Sequence, residues 1–209
     1  MVLLYVTKME IWLGTDFHLF KYDSRKQTVY PNRHFNVIMR NIRNTLTPDD
    51  LFLFLGDLTD GSIQDGNIIK GLFADLPGYK VMLKGNNDNM EESAYRSAGF
   101  DDIVYHAAVL GNVLFTHNPV KVKSPIYNIH GHNHGRFVRG KSNRNFDAWS
   151  GKGKLISFHD AMNGHQLDLK YNIIESGRKL SYADWKGCVK EPFDNLSELF
   201  HRFSATHEL

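Results

Sequence analysis

The chain has a single cysteine, Cys188, among its 209 residues. That excludes an intramolecular disulfide, fits a reducing compartment, and reads as a buried inert thiol rather than a nucleophile. It also lacks any run approaching the ~18 consecutive apolar residues of a membrane span, so a cytoplasmic location and no membrane partner are expected. The apolar start, Met1 to Val6, has no basic residues before it and no small-residue cleavage site after it, and so reads as mature protein; Met9 stands as an alternative start. Net charge is nearly absent: +2 at pH 7 implies no nucleic-acid or membrane surface unless the charge gathers on one face. Repeats and low-complexity tracts are missing too. What remains, 42% hydrophobic and 23% charged residues, suits one globular domain over residues 1–209. The compositional oddity is eleven histidines, and their placement carries the functional reading.

Short apolar runs alternate with helical patterns. Ile11 to Leu13, Leu51 to Leu55, Val81 to Leu83, Val113 to Phe115 and Ile126 to Ile129 each read as a strand. The second is apolar at every position, which suits a strand covered on both faces and predicts a layered α/β fold. Phe35, Ile38, Met39, Ile42 and Leu46 form one stripe of a helix that Asn32 is expected to cap. A second helix is expected from about Asp65 to Asp75, closed by Pro77-Gly78. The motif-bearing core thus spans residues 9–135. Residues 136–209 read as a basic loop and a C-terminal extension of the same domain, with late helices after Ser181 and Asp194. The last carries Leu196, Leu199, Phe200 and Phe203 on one face, to dock on its own domain or to pair a homodimer.

The predicted strands share one property at their C-terminal ends. The first leads into Asp16-Phe17-His18, the second into Gly56-Asp57-Leu58-Thr59-Asp60, and the third into Gly85-Asn86-Asn87-Asp88. The fourth ends in Thr116-His117 and the fifth in His130-Gly131-His132-Asn133-His134. In open α/β sheets this is the edge where loops converge polar groups on a ligand. Singly, each signal has an ordinary structural reading: a turn, or a lone core histidine. Together they offer two carboxylates, an amide oxygen and four imidazoles, enough for two divalent ions sharing ligands.

Those segments, in that order, resemble the calcineurin-like metallophosphoesterase family, whose pattern runs DxH, GDxxD, GNH[DE], a later His, and GHxH. The short spacing and the Leu76-Pro77-Gly78 before the third motif strand are most similar to the small single-domain bacterial and phage branch. The resemblance implies a four-layer αββα sandwich of two mixed sheets flanked by helices. It also implies that Asp16, His18 and His134 hold one metal, Asn86, His117 and His132 the other, and that Asp57 bridges them. Manganese is the preferred pair of ions, with iron, zinc or nickel also suited to these donors.

One position departs from the pattern. Asn87 stands where the family has a histidine that contacts phosphate and protonates the leaving group. An asparagine donates a hydrogen bond but no proton, so general-acid assistance worth typically ~10²–10⁴ in rate is missing. The expected enzyme is therefore a binuclear phosphoesterase biased toward phosphodiesters or phosphoanhydrides, with Asp57 and Asn87 as its catalytic positions. Arg33, Lys84 and Arg136 are candidates for binding the non-reacting parts of a small phosphorylated substrate, against the plainer reading of solvated charges. Two alternatives stand beside this. One is a nuclease on single strands, with Phe137, Phe146 and Trp149 of the basic loop stacking on bases. The other is a catalytically weak metal-binding scaffold.

Overall fold

The computed structural model of the chain describes residues 9–134, 143–145, 153–162, 166–169 and 194–195. Strand β1, Ile11–Gly14, leads through the first motif into a hairpin of β2, Phe20–Asp23, and β3, Thr28–Pro31. Helix α1, Phe35–Thr45, buries Ile38, Met39 and Ile42 and precedes β4, Leu51–Phe54, and β5, Tyr79–Leu83. Helix α2, Glu92–Ala98, then ends on Gly99 in the left-handed region and is followed by β6, Asp102–Val104. Strands β7, Ala107–Leu110, β8, Val113–Thr116, and β9, Tyr127–His130, come next. The later elements are β10, Asn143–Asn145, β11, Ile156–Ser157, helix α3, Phe158–Met162, and β12, Asp194–Asn195.

Among the described residues two five-stranded sheets result, ordered β11-β1-β4-β5-β6 and β10-β9-β8-β7-β12, beside the two-stranded β2-β3 hairpin. Both are mixed: β11 runs against β1 in the first, and β7 against β8 in the second. Strand alternation explains the layers. Leu51, Leu53, Val81 and Leu83 face Val113, Phe115 and Ile129 between the sheets. Phe52, Phe54 and Met82 face outward onto α1 and α2, meeting Ile38, Ile42, Tyr95 and Ala98. On the outer face of the second sheet, Leu114 and Val109 pack under Val120 and Ile126 of the loop before β9. This is the α/β sandwich of the metallophosphatase type. None of the described helices is long and apolar enough to cross a membrane.

Two expectations are corrected. The segment expected as a second helix forms only a 3₁₀ turn, Gly66–Ile68, followed by turns bonded three residues apart. The Asp65 carboxylate accepts from Asn67 N at 2.9 Å, and Gly71 has φ of +70°, so neither the start nor the middle of the segment holds α geometry. Ile69 and Phe73 are buried all the same. Asn32 is not the cap of α1; the cap is His34, with no side-chain bond. Asn32 Nδ2 donates instead to the carbonyls of Phe17 and His18, at 3.0 and 3.1 Å. The late helices after Ser181 and Asp194 and the loop residue Arg136 lie outside the described residues.

Candidate metal centre

The C-terminal ends of β1, β4, β5, β8 and β9 bring their loops to one place. Backbone bonds continue the sheet pairing into them: Asp16 N donates to Gly56 O at 2.9 Å, His18 N to Asp57 O at 3.0 Å, and Gly131 N to His117 O at 3.1 Å. Gly131 makes the approach between the two sheets possible, because a Cβ there would collide with Thr15 Oγ1 and Asp16 Oδ2. His132 N accordingly reaches Asp16 and donates to Oδ2 at 2.9 Å. Asp16, His18, Asp57, His132 and His134 all have φ between 42° and 69°. Non-glycine residues in that region cost about 1 kcal/mol or more each, and such strain gathers where geometry serves a ligand.

The side chains form two donor groups, Asp16 with His18 and His134, and Asp57 with His117 and His132. In the first, His134 Nε2 lies 3.6 Å from Asp16 Oδ1 and 3.3 Å from His18 Nε2. In the second, His117 Nε2 lies 3.3 Å from Asp57 Oδ2 and 3.0 Å from Asn86 Oδ1. Asp57 Oδ2 is also 3.8 Å from His18 Nε2, so this carboxylate touches both groups. Donors bound to one ion at ~2.1 Å stand roughly 3–3.5 Å apart, so this spacing fits divalent metals. Backbone carbonyls fix two imidazoles: His18 Nδ1 meets Thr59 O at 3.2 Å and His117 Nδ1 meets Leu55 O at 2.7 Å. A proton on each Nδ1 turns each Nε2 lone pair toward the donor groups.

Electrostatics separate the two buried histidines. Burial pushes His18 down, helped by the neighbouring charges of His134 and Lys21 and opposed by Asp57. Burial also pushes His117 down, but the hydrogen bond and charge of Asp57, with Asp16 behind it, raise it overall. Burial raises Asp16. Burial presses Asp57 the same way, yet His117 and the Asn87 backbone N–H outweigh it and hold Asp57 below the usual carboxylate range.

Other residues lie differently from their sequence reading. Asn87 turns onto Asp57, donating from its backbone N to Oδ1 at 2.9 Å and from Nδ2 to Oδ2 at 2.6 Å. Lys84 is engaged locally: Nζ donates to Met90 O at 3.0 Å and lies 5.2 and 5.3 Å from the ring centres of Tyr95 and Tyr105. Arg33 is on the surface beside Lys21, Tyr30 and Asn32. Asp88, whose role the sequence leaves open, is buried and accepts from Asp57 N, Leu58 N and Gly85 N at 2.7, 3.0 and 2.8 Å. It locks the second motif to the third, and burial pushes it up to about 6 despite those bonds. Its sequence signal is the acid that closes the third motif, Gly85 to Asp88.

No curated protein matches the chain. Among solved structures, a protein of unknown function from Aquifex aeolicus is 20% identical, with 75% of this chain and 99% of that chain covered at a TM-score of 0.54. A Pseudomonas putida nuclease is 18% identical, with 59% of this chain and 61% of that one covered at a TM-score of 0.41. The Aquifex likeness bears on fold alone. The family model of calcineurin-like phosphoesterases matches residues 9–197, a span that holds every donor described above. By that match the chain belongs to the calcineurin-like phosphoesterase family of metal-dependent phosphoric ester hydrolases.

Proposed function

We propose that the chain is a two-metal phosphoesterase acting on phosphodiesters or phosphoanhydrides in preference to simple monoesters. The observation that carries this reading is Asp57: one oxygen lies within 4 Å of imidazoles from both donor groups, while Asn87 donates to both of its oxygens. When bound, two divalent ions supply Lewis acidity and neutralise charge developing at phosphorus. Manganese is the first choice, with iron, zinc or nickel suited by the same donors.

The chain's own residues supply the rest. Asp16, His18 and His134 hold one ion, Asn86, His117 and His132 the other, and Asp57 spans both. Asn87 orients that carboxylate and offers a leaving group no proton. A neutral amide also leaves the site less positive than an imidazolium would. That weakens the hold on a dianionic monoester more than on a monoanionic diester. Substrates whose leaving groups depart readily as anions are therefore favoured. A small phosphorylated substrate, a cytoplasmic location, and a monomer or homodimer complete the reading.

Hydrolysis of bis(p-nitrophenyl) phosphate and of an alkyl monoester, measured with manganese for the wild type and Asn87→His, tests it. The diester is expected to be the better wild-type substrate, and the histidine variant is expected to gain on the monoester. Equal or better wild-type turnover of the monoester overturns the bias. No turnover at full metal occupancy makes the chain a metal-binding scaffold.

A further inference from the structure

Under the hairpin, and joined through Asn32 to the backbone of Phe17 and His18, is a hollow of about 290 Å³ lined by Lys21, Tyr30, Asn32 and Arg33. That volume is at the lower end of small-ligand pockets. Its walls are set by the hairpin. Lys21 pairs with Tyr30 across β2 and β3, so both side chains share one face, while Phe20 and Val29 on the opposite face pack into the core and fix the orientation. Tyr30 is 44% exposed, with its ring available on that face. Asn32 forms the floor and is buried; its amide donates to the carbonyls of Phe17 and His18, so the hollow is one hydrogen bond from the ligand-bearing loop. Arg33 is held at the rim by Nε donating to His34 Nε2 at 3.0 Å.

Among the described residues the lining holds the side chains of Lys21 and Arg33 and an aromatic ring, and no carboxylate. The acid on the same hairpin face, Asp23, accepts from the backbone N–H groups of Arg25 and Lys26 and is thereby used in the turn. The first turn of α1, which starts two residues past Arg33, has no acid either. An inorganic phosphate would use the cations and leave the ring idle. A nucleoside phosphate uses both, because a base stacks on an aromatic face while cations take the phosphate.

Resting on the phosphoesterase reading, we propose that this hollow is the subsite for a nucleoside phosphate, holding the portion of the substrate beyond the scissile bond. The base lies against Tyr30, and Lys21 and Arg33 pair with a non-reacting phosphate. A free nucleotide and a single strand share that chemistry.

The test is calorimetric titration of the full chain with AMP, inorganic phosphate, adenosine and a single-stranded hexanucleotide. AMP is expected to bind more tightly than phosphate or adenosine. Tyr30→Ala is expected to weaken AMP roughly 10-fold more than it weakens inorganic phosphate, a factor within the range of one stacking contact, while Lys21→Ala is expected to weaken both. Tyr30→Phe, which keeps the ring, should retain wild-type affinity and shows that the fold is intact. A hexanucleotide tighter than AMP, and weakened by the same variants, assigns a strand; AMP at least as tight assigns a free nucleotide. AMP binding no tighter than phosphate, or unmoved by Tyr30→Ala and Lys21→Ala, overturns the proposal. Because binding is read without turnover, failure of the phosphoesterase reading shows separately, as wild-type inactivity on bis(p-nitrophenyl) phosphate.

Discussion

The floor and the rim of the metal centre are built on different terms. Asp16 is 0% exposed and is fixed by Thr15 Oγ1 and His132 N, while Asp57 is gripped by the Asn87 amide and backbone. His18 and His117 are buried behind them and aimed by backbone carbonyls. At the rim, the His134 side chain is 46% exposed and Asn86 is on the surface. A buried, fully bonded floor cannot relax, so its donors keep their spacing before an ion arrives. Among the described residues the donors Asn86 and His134 are the ones open to solvent, so their side offers a phosphate access. Rigidity and access are thus divided between residues that the motif pattern alone treats alike.

Breaking the floor should have the largest effects. Asp57→Asn removes one charge from a carboxylate shared by both donor groups. Metal-borne charge stabilisation is worth several kcal/mol, so turnover should fall on the order of 10³-fold. Metal analysis should show losses at both positions; an unchanged rate with full occupancy would sink the bridging assignment. Asp88→Ala comes next. It leaves Asp57 N, Leu58 N and Gly85 N without their acceptor in a buried place. At ~1–3 kcal/mol for a buried unsatisfied group, urea denaturation should show a loss of about 3 kcal/mol or more. Gly131→Ala should follow at roughly 1–3 kcal/mol, because the added methyl must push the fifth motif off Thr15 and Asp16. Denaturation midpoints with and without manganese separate its effects. If the metal-dependent increment survives intact, the contact between the two sheets does not set the donor spacing.

The legible and the illegible parts of this molecule divide by which atoms do the work. Five strands and the clustering of Asp16, His18, Asp57, His117, His132 and His134 were readable, because side-chain type and apolar patterning carry them. The hairpin is absent from the sequence reading although Phe20-Lys21-Tyr22-Asp23 alternates aromatic and charged residues: β2 and β3 are four residues each, and the turn between them, Ser24 to Gln27, has no Gly, Pro or Asn to announce it. The second helix failed because Asp65 and Gly71 set local turns that outweigh the Ile68, Ile69, Leu72, Phe73 stripe. The tautomer partners of His18 and His117 are carbonyls of Thr59 and Leu55, groups every residue has, so no residue type announces them. Asp88 stands in the third motif, but the three backbone N–H groups it accepts from are illegible for the same reason.

Lys84 gives the smallest effect and sharpens the contrast from outside the site. Its position at the start of the third motif invited a phosphate-binding reading, yet its ammonium donates to Met90 O and lies between the rings of Tyr95 and Tyr105. A charge placed so steadies the loop that follows Asn86 and Asn87 and has its partners already. Lys84→Met keeps the stem and removes the cation. The expected outcome is a stability loss of about 0.5–1 kcal/mol, the size of a cation–π contact at a partly open site, with KM for bis(p-nitrophenyl) phosphate unchanged. Melting curves and steady-state kinetics on the one variant read both numbers. A KM raised several-fold without loss of stability would return Lys84 to the substrate and place a cation at the rim beside Asn86 and His134.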